Sequence, residues 1–215
     1  MDILKKTLPY IIILFLSFPA IRPLFLPGFF PMHDDTQPTR IYEMYRGLTD
    51  GQFPVRWVGD LGYGYGYPLF NFYAPLPYYF GALGIFGGLD AIMAAKLMFA
   101  AGIVFAGICM FLLARRLWGD SGGYLSAVLY LYFPYHALEI YVRGAVGEYW
   151  AYAFLPLVFL GLIIAIKKFR QGVLVGGLGL AVVILSHNIL GMLTAGILIS
   201  WGIWETARGI FTDIG

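Results

Sequence analysis

The sequence has little charge and almost no cysteine. Only 12% of its 215 residues are charged and 60% are hydrophobic, whereas a soluble domain carries about 25% charged residues. So few charges cannot cover a water-exposed surface, which excludes a soluble enzyme and predicts a multi-span membrane protein. The single cysteine excludes an internal disulfide framework and a multi-cysteine metal site. The net charge of +2, without a long basic cluster, excludes nucleic acid as an expected partner.

Long apolar runs recur along the whole chain. They cover residues 8–26, 68–89, 91–114, 124–138, 149–166, 172–185 and 189–204. The first run follows two lysines, but no small-residue cleavage site follows it, so we interpret it as an uncleaved first helix rather than a signal peptide. The last two runs are short spans that meet at a polar bend, Ser186-His187-Asn188. The fold class predicted from these runs is an all-α, polytopic transmembrane bundle.

The basic residues predict the orientation of the spans. Basic clusters stand at Lys5–Lys6, Arg115–Arg116, Lys167–Arg170 and Arg208. All of them lie on the cytoplasmic side, as the positive-inside rule expects, if one of the two runs before Arg115 does not cross. Run 68–89 is rich in proline and glycine, which are costly in hydrocarbon, so we predict that it is re-entrant or interfacial on the outer side. If run 68–89 crossed the membrane, Arg115 and Arg116 would lie outside and the predicted orientation of every later span would be reversed.

This orientation predicts about six crossings of the plasma membrane, with a cytoplasmic N-terminus and an extracytoplasmic loop at 31–67. It also gathers most of the scarce polar groups at the outer face. These groups are His33, Asp34, Asp35, His136, Glu139, Arg143, Glu148, His187 and Asn188. Polar side chains at a membrane are costly, so their collection on one side predicts a functional site.

The outer loop predicts a short amphipathic helix on the membrane surface. Thr36 is suited to cap its start and Gly51 to follow its end. The apolar face is Ile41, Met44, Tyr45 and Leu48, and the polar face is Arg40, Glu43, Arg46 and Asp50. Asp34 and Asp35 directly precede the cap, where negative charge is favourable.

Glycine and tyrosine alternate after this helix, in Gly62-Tyr63-Gly64-Tyr65-Gly66-Tyr67. Tyrosine rings stack on sugars, so Tyr65 and Tyr67 are candidate sugar contacts. Arg56, next to Trp57, is a candidate phosphate contact. The alternative for all of them is a flexible aromatic loop anchored at the membrane interface.

Two resemblances carry the functional interpretation. The order of first helix, acidic pair, surface helix and aromatic segment resembles the GT-C superfamily of membrane glycosyltransferases in layout. The residues of several motifs resemble those of prokaryotic membrane proteins that are called "6-pyruvoyl-tetrahydropterin synthase-related". Those motifs are His33-Asp34, Gly51-Gln52-Phe53-Pro54-Val55-Arg56-Trp57, Gly64-Tyr65-Gly66-Tyr67-Pro68 and Arg143-Gly144-Ala145 with Glu148.

The GT-C resemblance implies transfer of a sugar from a polyprenyl-phosphate donor to an acceptor at the outer face. It implies that Asp34, with Asp35, is the catalytic base or holds a divalent cation, Mg²⁺ or Mn²⁺. Arg143 would bind the donor phosphate, and Glu148 would be a second carboxylate. His33, His187 and Asn188 would contact phosphate or acceptor. The structural alternatives are a helix cap for the acidic pair, a Glu139–Arg143 ion pair, and a polar turn at His187.

Other interpretations stay open. A pterin-synthase site needs three zinc-binding histidines, and His33, His136 and His187 lie on separate segments without ligand spacing. A transporter or flippase for a lipid or polar solute, or a non-catalytic membrane protein, is the alternative to the transferase. We expect 1–215 to be one transmembrane domain and the N-terminal part of a longer protein.

Overall fold

The computed structural model describes residues 2–212; the side chains of residues 2–6, 206 and 209–212 are outside this description. The chain is 78% helical, and no strand occurs among the described residues. The helices are α1 (Asp2–Ile21), α2 (Gln37–Thr49), α3 (Leu69–Phe72), α4 (Leu76–Phe86), α5 (Ala91–Leu131), α6 (Pro134–Ala137), α7 (Val146–Ala165), α8 (Phe169–Ser186) and α9 (Asn188–Thr212). A 3₁₀ turn, Arg22–Phe25, extends α1, and a π-helical turn, Leu138–Arg143, follows α6. The predicted all-α polytopic bundle is confirmed.

Within residues 2–212, five helical stretches are long and apolar enough to cross a membrane. They are Thr7–Phe25, Ala91–Arg143, Val146–Ala165, Phe169–Ser186 and Asn188–Glu205. The second stretch has 53 residues, about twice what one crossing needs. It is therefore a candidate for two crossings.

The stretch labelled α5 consists of two helical arms that are joined by a turn at Gly119 and form a hairpin. This glycine has φ 72° and ψ −173°, which interrupts the helix and reverses the chain. The two arms pack side by side, with the rings of Phe111 and Tyr124 4.9 Å apart and Arg115 paired to Asp120 across the turn. The arms match the predicted runs 91–114 and 124–138, and the second arm continues through α6 and the π-helical turn to Arg143, so the stretch is a candidate for two of the six expected crossings.

Helix α4 is too short to cross a bilayer. Its 11 residues rise about 16 Å, against a hydrocarbon core of about 30 Å. It packs against α2, where Gly81 touches Ile41, and against the start of α5, where Gly84 touches Ala94. The proline-rich run therefore ends beside the first turns of α5 instead of spanning the bundle, as its composition predicts.

Glycines bring α7 and α8 into close contact. A Cβ on Gly161 would lie 2.2 Å from the Cα of Gly176, and a Cβ on Gly172 would lie 2.4 Å from the Cα of Ala165. Small residues of this kind let membrane helices approach until their backbones touch. This contact fixes α8, and with it the α8–α9 junction, relative to the start of α7.

Polar and basic groups separate to the two ends of the bundle. One end, called the basic end, carries Arg115, Arg116 and the α7–α8 turn at 166–168. The opposite end, called the loop end, carries the 26–36 loop and the α8–α9 junction. Helix α1 runs toward the loop end, since Ile13 lies against Gly107 and the hydroxyl of Tyr141 donates to the carbonyl of Ala20 at 2.7 Å. The predicted cytoplasmic pair Lys5–Lys6 falls among the undescribed side chains, and residues 213–215 lie outside the described residues.

Helix α2 differs from the predicted surface helix on its polar face. Ile41 and Met44 are buried as expected, and Gly51 follows the end with φ 81°. Glu43, however, is 3% exposed, so its assignment to the solvent-facing side is wrong. The following loop folds over it, and the backbone N–H groups of Gly59 and Asp60 donate to its carboxylate. Burial raises the pKa of Glu43 above its ordinary value.

Candidate functional site

A cavity of about 520 Å³ opens at the loop end of the bundle. Four separate segments line it, and we call it the rim cavity. They are the loop at 33–37, the aromatic segment at 72–78, the start of α7 with the residues before it at 143–148, and the α8–α9 junction at 186–189. The volume is that of a small-molecule site. The predicted residues His33, Asp34, Arg143, Glu148, His187 and Asn188 all line this cavity.

Backbone pairing joins the first loop to the residues before α7. The N–H of His33 donates to the carbonyl of Val142 at 2.8 Å, and the N–H of Asp34 donates to that of Arg143 at 3.0 Å. Gly144 follows with φ 66°, and a Cβ there would lie 2.7 Å from the carbonyl oxygen of Asp34. Only glycine fits this close approach. The pairing brings residues more than a hundred positions apart into one wall.

Asp34 is the centre of a hydrogen-bonded cluster. Its Oδ1 accepts from the hydroxyl of Thr36 at 2.9 Å, and its Oδ2 accepts from Gln37 Nε2 at 3.0 Å and from Arg40 Nη1 at 2.6 Å. Thr36 occupies the N-cap position of α2, but its hydroxyl bonds to Asp34 and does not cap the helix. The Asp34 side chain is 27% exposed. It is thus held as a carboxylate at the cavity surface.

Gln37 and Tyr78 connect this cluster to the bundle. The Tyr78 hydroxyl donates to Gln37 Oε1 at 3.0 Å, and Gln37 Nε2 also donates to the carbonyl of Gly144 at 2.7 Å. Burial raises the pKa of Tyr78 to about 12, so the hydroxyl keeps its proton. Arg40 lies 4.3 Å over the ring of Tyr73. The motifs did not identify Gln37, Arg40, Tyr73 or Tyr78 as site residues, although Arg40 was placed on the polar face of α2.

A second cluster surrounds Arg143. Its guanidinium contacts Glu139 Oε1 and lies 3.0 Å from Glu148 Oε2, while the hydroxyl of Tyr135 donates to Glu148 Oε1. The Glu139–Arg143 pair has the spacing that the sequence predicted, here on a π-helical turn. The side chain of Arg143 is 45% exposed and that of Glu139 is 1% exposed. One guanidinium therefore joins a buried carboxylate to one at the cavity wall.

His187 and Asn188 cap the start of α9 at the cavity. The N–H of Leu190 donates to His187 Nδ1 at 3.2 Å, and the N–H of Ile189 donates to Asn188 Oδ1 at 3.0 Å. Burial lowers the pKa of His187 below its ordinary value, so the ring is neutral at neutral pH. Because Nδ1 accepts, the proton of the neutral ring is on Nε2. The junction thus combines the predicted polar turn with a hydrogen-bond donor at the cavity.

Four predicted site residues do not line the cavity. Asp35 is exposed beside it, and Arg56 donates to Asn71 Oδ1 at 3.1 Å. Tyr65 is exposed at the loop tip, and the backbone of Tyr67 pairs with Val58. The structure therefore leaves Asp35, Arg56 and Tyr65 apart from the cavity. Tyr67 does not line it either, but its side chain lies close enough to Asp34, Arg40 and Tyr73 to interact with them electrostatically.

The arrangement does not fit a divalent cation. Both oxygens of Asp34 already accept hydrogen bonds, and one of the donors is a guanidinium. Over residues 2–212 as described, no three His, Cys, Asp or Glu side chains are grouped as metal ligands would be. His136 is buried against the rings of Tyr130, Tyr149 and Tyr152, away from the cavity that His33 and His187 line. Neither a cation at Asp34 and Asp35 nor a three-histidine zinc site is supported by this geometry.

One protein-family model matches most of the helical bundle. The model of the 6-pyruvoyl-tetrahydropterin synthase related domain, a membrane protein family, covers residues 70–208, more than half of the chain. The chain belongs to this family. In this PTPS-related membrane protein, the matched region includes Arg143, Glu148 and the α8–α9 junction, whereas Asp34 lies before its first residue. No curated protein and no solved structure matches the chain, so the GT-C likeness stays a prediction.

Proposed function

We propose that this PTPS-related membrane protein is a glycosyltransferase that moves a sugar from a polyprenyl-phosphate donor to an acceptor hydroxyl. One observation carries the proposal: Asp34, the neighbouring pair Arg143 and Glu148, and His187, from three separate segments, line one cavity at one rim of the bundle. Ionisable groups in membrane-embedded segments are costly, and those that are retained usually serve a function. A cavity that combines a carboxylate, a guanidinium and aromatic walls suits a sugar joined to a phosphate.

The donor phosphate would lie between Arg143 and the α8–α9 junction. Helix α7 begins at the cavity, and helix N-termini attract anions because their first N–H groups lack partners within the helix. The half-exposed guanidinium of Arg143 and the Nε2–H of His187 add two side-chain donors. The polyprenyl chain would extend into the bilayer beside the bundle.

Asp34 would accept the proton of the acceptor hydroxyl. The acceptor oxygen bonds to the anomeric carbon, the bond from that carbon to the phosphate oxygen breaks, and polyprenyl phosphate leaves with the electron pair. The proton passes to Asp34, whose Oδ1 has two lone pairs and one bond from Thr36. Thr36, Gln37 and Arg40 hold the carboxylate in place, and the proposed step uses no metal.

The proposed location is the outer face of the plasma membrane. The basic end would be cytoplasmic, as the positive-inside rule expects, and the loop end would then face outward with the rim cavity. Charged groups at the rim, rather than near the middle of the spans, favour surface chemistry over transport.

The transferase proposal is tested with the whole chain reconstituted in liposomes. The probes are polyprenyl-phosphate hexoses and pentoses labelled in the sugar, with membrane lipids and glycans as acceptors. We expect label to pass from the donor to an acceptor, and protein-free liposomes serve as the control. Movement of intact donor between leaflets without transfer would replace the transferase with a flippase.

A further inference from the structure

The Arg143 cluster carries more negative than positive groups. One guanidinium serves two carboxylates, those of Glu139 and Glu148. If both carboxylates are ionised, the cluster repels an anion that approaches Arg143. A phosphate can therefore draw Arg143 away from its partners only if the charge of the cluster changes.

Glu139 is the partner that depends most on Arg143. Its side chain is 1% exposed, and among the described residues its Oε2 has no hydrogen-bond partner. Tyr135 lies near it but donates its single hydroxyl proton to Glu148. A buried carboxylate that loses its cation is strongly destabilised, and the usual response is to take up a proton.

Among the described groups around the cluster, no second cation is free to replace Arg143 beside Glu139; the hydroxyl of Tyr135, which is within reach of Glu139, is neutral. Arg40 is paired with Asp34 at 2.6 Å. His187 interacts with Glu148 and Arg143, but burial disfavours its charged form. Tyr135 bonds to Glu148 in the cluster, and the other titratable groups that line the cavity from neighbouring elements are His33, Asp34, Tyr73, Tyr78 and His187.

We propose that anion binding in the rim cavity is coupled to the uptake of one proton, which Glu139 takes as Arg143 turns to the anion. The proposal rests on the proposed function in one respect, namely that the anion is the phosphodiester of a lipid-linked sugar. Before binding, Arg143 holds the two carboxylates. After binding, Arg143 holds the phosphodiester, and Glu139 is a neutral acid whose proton comes from solvent.

Calorimetry on the whole chain in neutral detergent measures this coupling. The probe is a farnesyl-phosphate-linked hexose, a phosphodiester whose own charge stays constant over the pH range used. Titrations at pH 7 in two buffers of different ionisation enthalpy report the protons exchanged. We expect uptake of about one proton per anion and an affinity that falls about tenfold for each unit of rising pH. Binding without proton uptake, or no binding, would overturn the proposal.

Two glutamine variants separate the coupling from general effects of a buried glutamate. Glu139→Gln should still bind the probe but without proton uptake and with little dependence on pH. Glu43→Gln, which changes the other buried glutamate outside the cavity, should retain both binding and uptake. If Glu139→Gln does not fold, the proton count of the unaltered protein decides alone.

The outcome is independent of sugar transfer because no acceptor is present in the titration. Proton-coupled binding in a protein that transfers no sugar would remove the transferase proposal and leave this one. Sugar transfer by a protein that binds the donor without proton uptake would remove the proton-coupling proposal and leave the transferase proposal.

Discussion

Replacing Asp34 by asparagine is expected to lower sugar transfer by about a hundredfold to ten-thousandfold, the usual contribution of a general base. The amide keeps the size of the side chain and can still accept from Thr36, but it cannot take the acceptor proton. Donor binding should change little, because Arg143 and the α8–α9 junction are untouched. The measurement is the initial rate of transfer at saturating donor, with donor affinity determined in parallel.

Asp35→Asn is the matched control for this variant. It makes the same chemical change one residue away, on an exposed side chain outside the cavity, and should retain near-normal transfer. Thermal unfolding of both variants in detergent shows whether loss of the Asp34–Arg40 pair has disturbed the fold. Equal activity of the two variants would remove Asp34 from the reaction.

Replacing Arg143 by glutamine is expected to destabilise the protein by about 3 kcal/mol at neutral pH and to abolish donor binding. The cause of the instability is Glu139, which is buried and loses its cationic partner. Protonation of Glu139 relieves this cost, so the folded variant binds more protons than the unfolded chain. Its stability should therefore rise as the pH falls, which unfolding in detergent at several pH values measures.

The double variant Arg143→Gln, Glu139→Gln separates the two effects of Arg143. It removes the buried charge together with its partner, so we expect most of the stability to return. Donor binding should stay absent, because the phosphate still lacks its guanidinium. Recovery of binding along with stability would show that Arg143 acts only through the fold.

The sequence contained the information for the spans and for the local pairs. The apolar runs and the basic clusters between them predicted the helices and the end of the bundle that carries the polar groups. The spacing of Glu139 and Arg143 predicted their ion pair, because a contact four residues apart depends only on local geometry. Asp34 and Arg143 were assigned to one site because both fell on the same predicted side.

The rest of the site depends on contacts between distant segments. Gln37 meets Gly144 across 107 positions, and Tyr78 meets Gln37 across 41, and no local pattern reports such pairs. Glu43 has a polar-face position on α2, yet the loop after α2 buries it. Asp34 and Asp35 are equivalent by composition, and it was the resemblance that favoured Asp34; its backbone pairing with Arg143 and its bonds from Thr36, Gln37 and Arg40 depend on the fold.

The most direct test of the account is whether the donor protects the rim cavity from an outside reagent. Single cysteines are placed at Asn188, at Tyr63 on the exposed loop and at Arg170 near the basic end; the native Cys109 is buried. We predict that a membrane-impermeant maleimide labels Asn188→Cys and Tyr63→Cys in intact cells and labels Arg170→Cys only after permeabilisation. Added polyprenyl-phosphate sugar should slow labelling of Asn188→Cys alone. Labelling of Asn188→Cys only in opened cells, or at a rate that the donor does not change, would contradict the account.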